Sequence, residues 1–309
     1  MSDYIIFLLA MAALIKGADF IIKESEKIAL HFGISEFVIG ATLIALGTSL
    51  PEMAASIAAS WHGKSDLAVS NVIGSVTINI TVVLGLVFLI AKHIHPRRDI
   101  FGKDSAWSLF PVLIFLLVAY DGTISVGEGV VFLLIMGAYL LFLSQEPTLV
   151  AGEVEEELAR EAFKWPVTIL FLIVGFLMVV YGADYTVQSA SNIARSLGVS
   201  EWIIGLFLVA FGTSLPELVV SIVAAINKKA DMSIGNIIGS NVANFSVVLG
   251  SAAIVNPLKV DLQTYGFDIL TALFASLMLI FISANKLYNK SAGIVLLATF
   301  AIFALNHLP

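Results

Sequence analysis

Residues 47–52 read Gly-Thr-Ser-Leu-Pro-Glu, and residues 212–217 read Gly-Thr-Ser-Leu-Pro-Glu again. Each copy lies inside a long apolar run, so each puts a proline and a carboxylate at membrane depth. Ionisable residues there are costly and mark ion or substrate pathways. Two copies at corresponding positions of two halves are the pattern of an internal repeat with its binding site where the repeats meet.

The similarity extends outward from these hexapeptides at a constant offset of 165, without a gap. Gly17-Ala18-Asp19 returns as Gly182-Ala183-Asp184, and Gly33-Ile34-Ser35-Glu36 as Gly198-Val199-Ser200-Glu201. Asp66 returns as Asp231. Asn71, Gly74, Ser75, Asn79 and Gly85 return as Asn236, Gly239, Ser240, Asn244 and Gly250.

The composition agrees with a membrane location. The chain has 309 residues, 59% hydrophobic and 13% charged, with a mean hydropathy of +0.99. A soluble domain is about a quarter charged. Long apolar runs favour helices over a barrel. No cysteine is present, which excludes disulfides, thiolate metal sites and cysteine nucleophiles. A net charge of −7 offers no footprint for nucleic acid. Met1-Ser2-Asp3-Tyr4 lacks the basic start of a signal peptide, so the first apolar run reads as a retained helix.

A span needs about 20 mostly apolar residues. Ten such stretches are expected, at roughly 3–22, 36–60, 67–91, 106–120, 128–144, 165–185, 201–226, 233–255, 265–284 and 291–307. The fold class is therefore an all-α membrane protein, with ten transmembrane helices in two inverted five-helix repeats. Residues 1–144 form the first repeat and 165–309 the second, inverted one. Residues 145–164 form a linker carrying Glu153, Glu155, Glu156 and Glu157. Five helices per half is an odd number, so the halves point in opposite directions.

Basic residues set the orientation. Alternate connections, starting from the first, hold Lys23, Lys27, Lys92, Arg97, Arg98, Lys103, Arg160, Lys164, Lys228, Lys229, Lys286 and Lys290. The other side holds only Lys64, Arg195 and Lys259. The positive-inside rule then places both termini outside and the acidic linker in the cytosol.

Pro51 has no N–H, so the carbonyl of Gly47 loses its helical partner, and Pro216 does the same to Gly212. A plain proline kink would account for either motif alone. The glutamates add a further demand. No lysine or arginine is available at comparable depth, apart from Lys16 near one end. Glu52 and Glu217 then need a bound cation or a proton. Around them the sequence supplies hydroxyls at Thr48, Ser49, Thr213, Ser214, Ser75 and Ser240, and carboxamides at Asn79 and Asn244. Such oxygens suit hard cations, with Ca²⁺ taking six to eight. The lack of thiols or clustered histidines argues against zinc and copper. Ser75 with Asn79, and Ser240 with Asn244, fall on one helix face. Gly74, Gly85, Gly239 and Gly250 read as close-packing residues. Asp19 and Asp184 read as interface groups, and the five histidines carry no assigned chemistry.

Through the two Gly-Thr-Ser-Leu-Pro-Glu motifs, each followed by Asn-x-x-Gly-Ser-x-x-x-Asn, the chain resembles the sodium/calcium exchangers of the cation/Ca²⁺ exchanger superfamily, in their short prokaryotic form. The likeness covers essentially the whole chain. It implies a secondary antiporter, not an enzyme, that exchanges Na⁺ for Ca²⁺ across the cell membrane by alternating access. No cofactor is implied, and the partners are the two ions and the lipid bilayer. It implies Glu52 and Glu217 as shared ligands of both ions, and the Thr48 and Thr213 carbonyls at the Ca²⁺ site. It further implies flanking Na⁺ sites from the Ala45 and Ala210 carbonyls and the hydroxyls of Ser49, Thr213, Ser214, Ser75 and Ser240. Asn79 and Asn244 would line the centre, while the first and sixth helices slide across the core. Several relatives and the potassium-dependent branch have aspartate where this chain has Asn244, so exchange independent of K⁺ is expected. The competing readings are a Ca²⁺/H⁺ exchanger, a cation channel, and an intramembrane hydrolase using Ser49 or Ser214. The last lacks a nearby histidine and a second glycine after either serine.

Overall fold

The computed structural model describes residues 2–91, 96, 98–145, 164–199 and 210–307. Most of the linker, the first part of the stretch 201–226, and His93 and His95 lie outside the described residues.

The described residues are helical almost throughout. The helices are α1 (Ser2–Phe32), α2 (Glu36–Thr48), α3 (Leu50–Trp61), α4 (Ser65–Ile90), α5 (Ser105–Asp121), α6 (Val126–Ser144) and α7 (Trp165–Ser196). They continue with α8 (Ala210–Gly212), α9 (Leu215–Ile226), α10 (Ala230–Val255), α11 (Gly266–Ala284) and α12 (Lys290–Asn306). Among the described residues, six helices are long and apolar enough to cross a membrane, and the bent pair α2–α3 makes a seventh.

Two helices run further than the apolar pattern. The stretches 3–22 and 165–185 become helices of 31 and 32 residues. Their charged tails stay helical because side chains pair along the helix. Lys23 reaches Asp19 at 3.1 Å and Lys27 reaches Glu24 at 2.6 Å. Both helices end at a glycine in the left-handed region, Gly33 at φ +66° and Gly198 at φ +81°.

Burial ranks the helices. In their most apolar windows, α4 is 78% and α10 83% buried, while α1 and α7 are each 33% buried. The centre is therefore built on α4 and α10, and α1 and α7 lie against each other on the outside. That outer pair meets through small residues. A Cβ on Gly17 would stand 2.7 Å from the Gly175 carbonyl oxygen, and one on Gly182 2.9 Å from the Leu14 nitrogen. Among the described residues, one antiparallel pairing, β1 (Thr123–Ile124) with β2 (Leu258–Lys259), ties two connections at one end.

Glycines bring α2 into backbone contact with α10. A Cβ on Gly239 would meet the Ala41 carbonyl oxygen at 2.4 Å, and one on Gly235 the Phe37 carbonyl oxygen at 2.4 Å. Gly85 and Gly250 face Gly293 and Gly129 in the same way. Gly74, the repeat mate of Gly239, does not fit the expected packing role. Nothing lies within 4 Å of its virtual Cβ, because it borders a cavity.

Alanine scanning separates these mates. Gly239→Ala should lower the melting temperature in detergent, since overpacking costs about 1–3 kcal/mol and here the obstacle is backbone. Gly74→Ala should leave it unchanged or raise it slightly, because alanine is the better helix former. Equal losses at both positions would contradict the packing described.

Candidate functional site

The proline motifs break their helices as the missing N–H requires. α2 ends at Thr48, Ser49 takes φ −83° and ψ 5°, and α3 restarts at Leu50 with Pro51 in its first turn. The two segments meet at a bend of 44°. In the second half Ser214 takes φ −88° and ψ 3°, and α9 restarts at Leu215 with Pro216 in its first turn. Each glutamate therefore sits in the first turn of a helix.

Glu52 and Glu217 are both 0% exposed. Each is held from the opposite half. Ser49 Oγ donates to Glu217 Oε1 at 3.0 Å, and Ser214 Oγ donates to Glu52 Oε1 at 3.5 Å. Ser214 Oγ also lies 3.2 Å from Ser75 Oγ. The second oxygen of each carboxylate, Oε2, is buried with no partner in the protein. Among the described residues no lysine or arginine pairs with either glutamate; Lys16 instead pairs with Asp19 at 3.0 Å.

Of the other expected site residues, Ser75 joins this crossing through Ser214, while no described bond links Asn79 or Asn244 to either glutamate. Thr48 Oγ1 bonds to the Ala45 carbonyl oxygen and Asn236 Oδ1, both at 3.3 Å. The Ala45 carbonyl also accepts from the Ser49 N–H at 3.1 Å. Thr213 Oγ1 donates to Asn71 Oδ1 at 3.4 Å. Ser240 Oγ is buried and unpartnered. Asn79 Nδ2 donates to Asn241 Oδ1 at 3.1 Å, leaving Asn79 Oδ1 unpartnered. Both side-chain atoms of Asn244 are buried and unpartnered. Ala210 is the first described residue of the helical segment α8. Asn79 and Asn244 each begin a π-helical stretch, Asn79–Leu84 and Asn244–Val248, a distortion that recurs at functional sites.

Three groups escaped the sequence reading. Asn71 and Asn236 clamp the broken helices: Asn71 Nδ2 donates to the Glu52 carbonyl at 3.2 Å and to Ser56 Oγ at 2.9 Å, while Asn236 Nδ2 donates to Ser221 Oγ at 2.9 Å. Their duplication one turn before Ser75 and Ser240 was the available signal. Asn241 had no such signal, because its repeat mate is Val76. His307, left without a role, pairs with Asp268 at 3.1 Å. That pair lines a cavity of about 490 Å³ that also reaches Asn71, Ser75 and Thr213. The expectation for Asp19 agrees with its pairing to Lys16 and Lys23, and Asp184 accepts from Gln188 Nε2 at 2.8 Å.

Chemically, the crossing offers two buried carboxylate oxygens with open lone pairs, and Asn79, Ser240 and Asn244 carry further buried oxygens without a partner. An unpaired buried charge is expensive, and so is an unmade hydrogen bond. A hard cation answers both demands, because it takes oxygen ligands of these kinds.

Known proteins resemble this chain in sequence and fold. The sequence model of the sodium/calcium exchanger protein family matches residues 2–145 and 167–308. An uncharacterized membrane protein of Methanocaldococcus jannaschii, MJ0091, is 36% identical, over 96% of this chain and 95% of its own length. The sodium/calcium exchanger MaX1 of Methanosarcina acetivorans is 32% identical over 97% of both chains. A solved structure of the sodium-calcium exchanger NCX_Mj superposes with a TM-score of 0.80 at 33% identity, covering 100% of this chain and 99% of that one. From its paired motifs, its broken helices and these matches, the chain belongs to the sodium/calcium exchanger family of membrane proteins.

Proposed function

We propose that the chain exchanges Na⁺ for Ca²⁺ by alternating access around one central site, without K⁺. The observation that carries this reading is the pair Glu52 and Glu217, fully buried, each with one oxygen held by a serine of the other half and one left open. Two carboxylates neutralise one Ca²⁺. They cannot also neutralise a load of Na⁺, so occupancy by one ion excludes the other and transport is coupled. Ca²⁺ would sit between Glu52 and Glu217 with the Thr48 and Thr213 carbonyls. Na⁺ would take flanking positions offered by the Ala45 and Ala210 carbonyls and by Ser49, Thr213, Ser214, Ser75 and Ser240. Asn79 and Asn244 line the centre.

The architecture in this reading is ten helices in two inverted repeats, 1–144 and 165–309, joined by the linker 145–164. Both termini lie outside and the linker lies in the cytosol. Several contacts support that sidedness. Lys229, after α9, pairs with Glu26 of α1 and with Glu36, the latter at 2.9 Å. The Arg98 N–H reaches Asp231 at 3.5 Å. The connections 1–2, 3–4 and 7–8 thus meet at one end. The β1–β2 pairing joins connections 4–5 and 8–9 at the other. The cavity ending at Asp268 and His307 then opens a route toward Ser75 and Thr213 from the side of the termini. In alternating access, α1 and α7 move as one unit, because the contacts at Gly17 and Gly182 join them to each other.

Glu52→Gln or Glu217→Gln should abolish Ca²⁺ uptake into vesicles loaded with Na⁺. The melting temperature without ions should hold or rise, since an uncompensated buried charge is removed. Near-normal uptake by either variant would sink the site assignment.

Asn244 and Asn79 are neutral, so the centre lacks a third charge that would call for one more monovalent ion. Ca²⁺ flux with choline replacing K⁺ on both sides should run at the full rate, and Asn244→Asp should make it respond to K⁺ or pH. A strict K⁺ requirement in the unmodified chain would overturn this reading. Uptake driven by internal H⁺ alone would favour a Ca²⁺/H⁺ exchanger.

A further inference from the structure

The two halves share the Asn, Gly, Ser and Asn positions around the site but differ in polarity at two adjacent buried ones, Val76-Thr77 in the first repeat against Asn241-Val242 in the second. The first repeat has Val76 one residue after Ser75, and Val76 is fully buried in the apolar core. The second repeat has Asn241 after Ser240, 1% exposed and three residues before Asn244. A carboxamide replaces a core valine beside the candidate ion site. Burying an amide costs free energy unless it is hydrogen-bonded. The described bond of Asn241 is the one its Oδ1 accepts from Asn79 Nδ2 at 3.1 Å, while its own Nδ2 is unpartnered.

That bond acts on the orientation of Asn79. A carboxamide has one end that ligates a cation and one end that repels it. With its NH₂ held by Asn241, Asn79 leaves its oxygen free of protein donors. Turning Asn79 over alone would set two carbonyl oxygens against each other. Asn244, the repeat mate of Asn79, has no such anchor and no hydrogen-bond partner at either end.

We propose that Asn241 is a positioning residue for the ion site: its side-chain oxygen holds the NH₂ of Asn79 and so presents the Asn79 oxygen to the transported cation. This rests on the reading of Asn79 as a residue lining that site. Asn241 touches no ion in this account and acts only through Asn79. Outer-sphere partners of this kind fix the direction of the groups that meet the metal. The two central carboxamides then differ in role, Asn79 being held oxygen-first and Asn244 being free to turn with the ion present.

The alternative is that Asn241 is ordinary interhelical glue, whose loss lowers stability and nothing else. Calorimetric titration of the purified full chain with Ca²⁺ in Na⁺-free buffer separates the two. Asn241→Val, which restores the residue of the first repeat, should weaken Ca²⁺ binding by roughly tenfold, the lower end of outer-sphere effects. Its melting temperature without ions should stay close to that of the unmodified chain. Asn79→Ala should also weaken binding, and the double variant Asn79→Ala with Asn241→Val should bind no worse than the weaker single variant, because the two act as one unit. Asn241→Ala gives the same readout if the valine variant does not fold.

The proposal is overturned if Asn241→Val and Asn241→Ala bind Ca²⁺ as the unmodified chain does. It is equally overturned if the losses multiply in the double variant, or if the only effect is a lower melting temperature. Normal binding by Asn79→Ala beside a loss in Glu52→Gln would remove Asn79 from the site and the proposal with it. Normal binding by both Asn79→Ala and Glu52→Gln would sink the underlying site reading instead.

Discussion

Two carboxylates stand in the middle of an apolar helix bundle with no cationic side chain beside them among the described residues. Removing an ionised carboxylate from water costs several kcal/mol even after the protein relaxes. The surrounding structure lowers that cost only in part. Ser49 and Ser214 each give one hydrogen bond across the molecule to the glutamate of the other half. Neither half can build the site alone, because each supplies a carboxylate whose hydrogen-bond donor sits in the other. The open oxygens that remain give the chain a use for a cation that can come and go.

The crossing exists because the helices break where they meet. Pro51 and Pro216 end the regular hydrogen-bond ladder, and the chain turns at Ser49 and Ser214 before resuming. The turn points both serines at the opposite carboxylates. Close approach comes from small residues. A Cβ on Gly47 would lie 2.1 Å from the Phe176 ring, so the outer helix α7 rests directly on the break. Movement of α7 over that contact would be felt at the site without any longer lever.

Departures from the two-fold pattern mark where the halves do different work. Gly239 is locked against α2, whereas Gly74 opens onto the cavity. Gly63, at φ +69°, is matched by Lys228 at φ +63°, so the same left-handed turn is kept on the side where Lys229 meets Glu26 and Glu36. A lysine in that conformation is unfavourable relative to glycine. A basic residue there adds positive charge next to that ion-pair group. Val76 and Asn241 differ inside the core itself, where Asn241 makes one hydrogen bond, to Asn79.

Sequence alone is enough to read the chain as helical, membrane-bound and internally duplicated, with Glu52 and Glu217 as two carboxylates inside apolar runs. Apolar run length, the 165-residue offset and a carboxylate at depth are local signals, readable without a partner. The sequence also placed the breaks, since a proline removes its hydrogen bond wherever it stands. It could not say that α1 and α7 outrun their apolar stretches, because those tails carry side-chain pairs along the helix, ion pairs in α1 and hydrogen bonds in α7, that hydropathy does not register. Nor could it say which oxygens meet. Ser49 reaches Glu217 and not Glu52, Asn71 reaches the Glu52 carbonyl at the helix break, and Gly74 faces space while Gly239 faces backbone. Those outcomes depend on which atoms of distant segments share a few ångströms, and a hydrogen bond or a steric contact is decided only there. Asn241 is the sharpest case: it breaks the repeat and reads in sequence as one more buried asparagine, and only the packing of α10 against α4 gives it Asn79 as a partner.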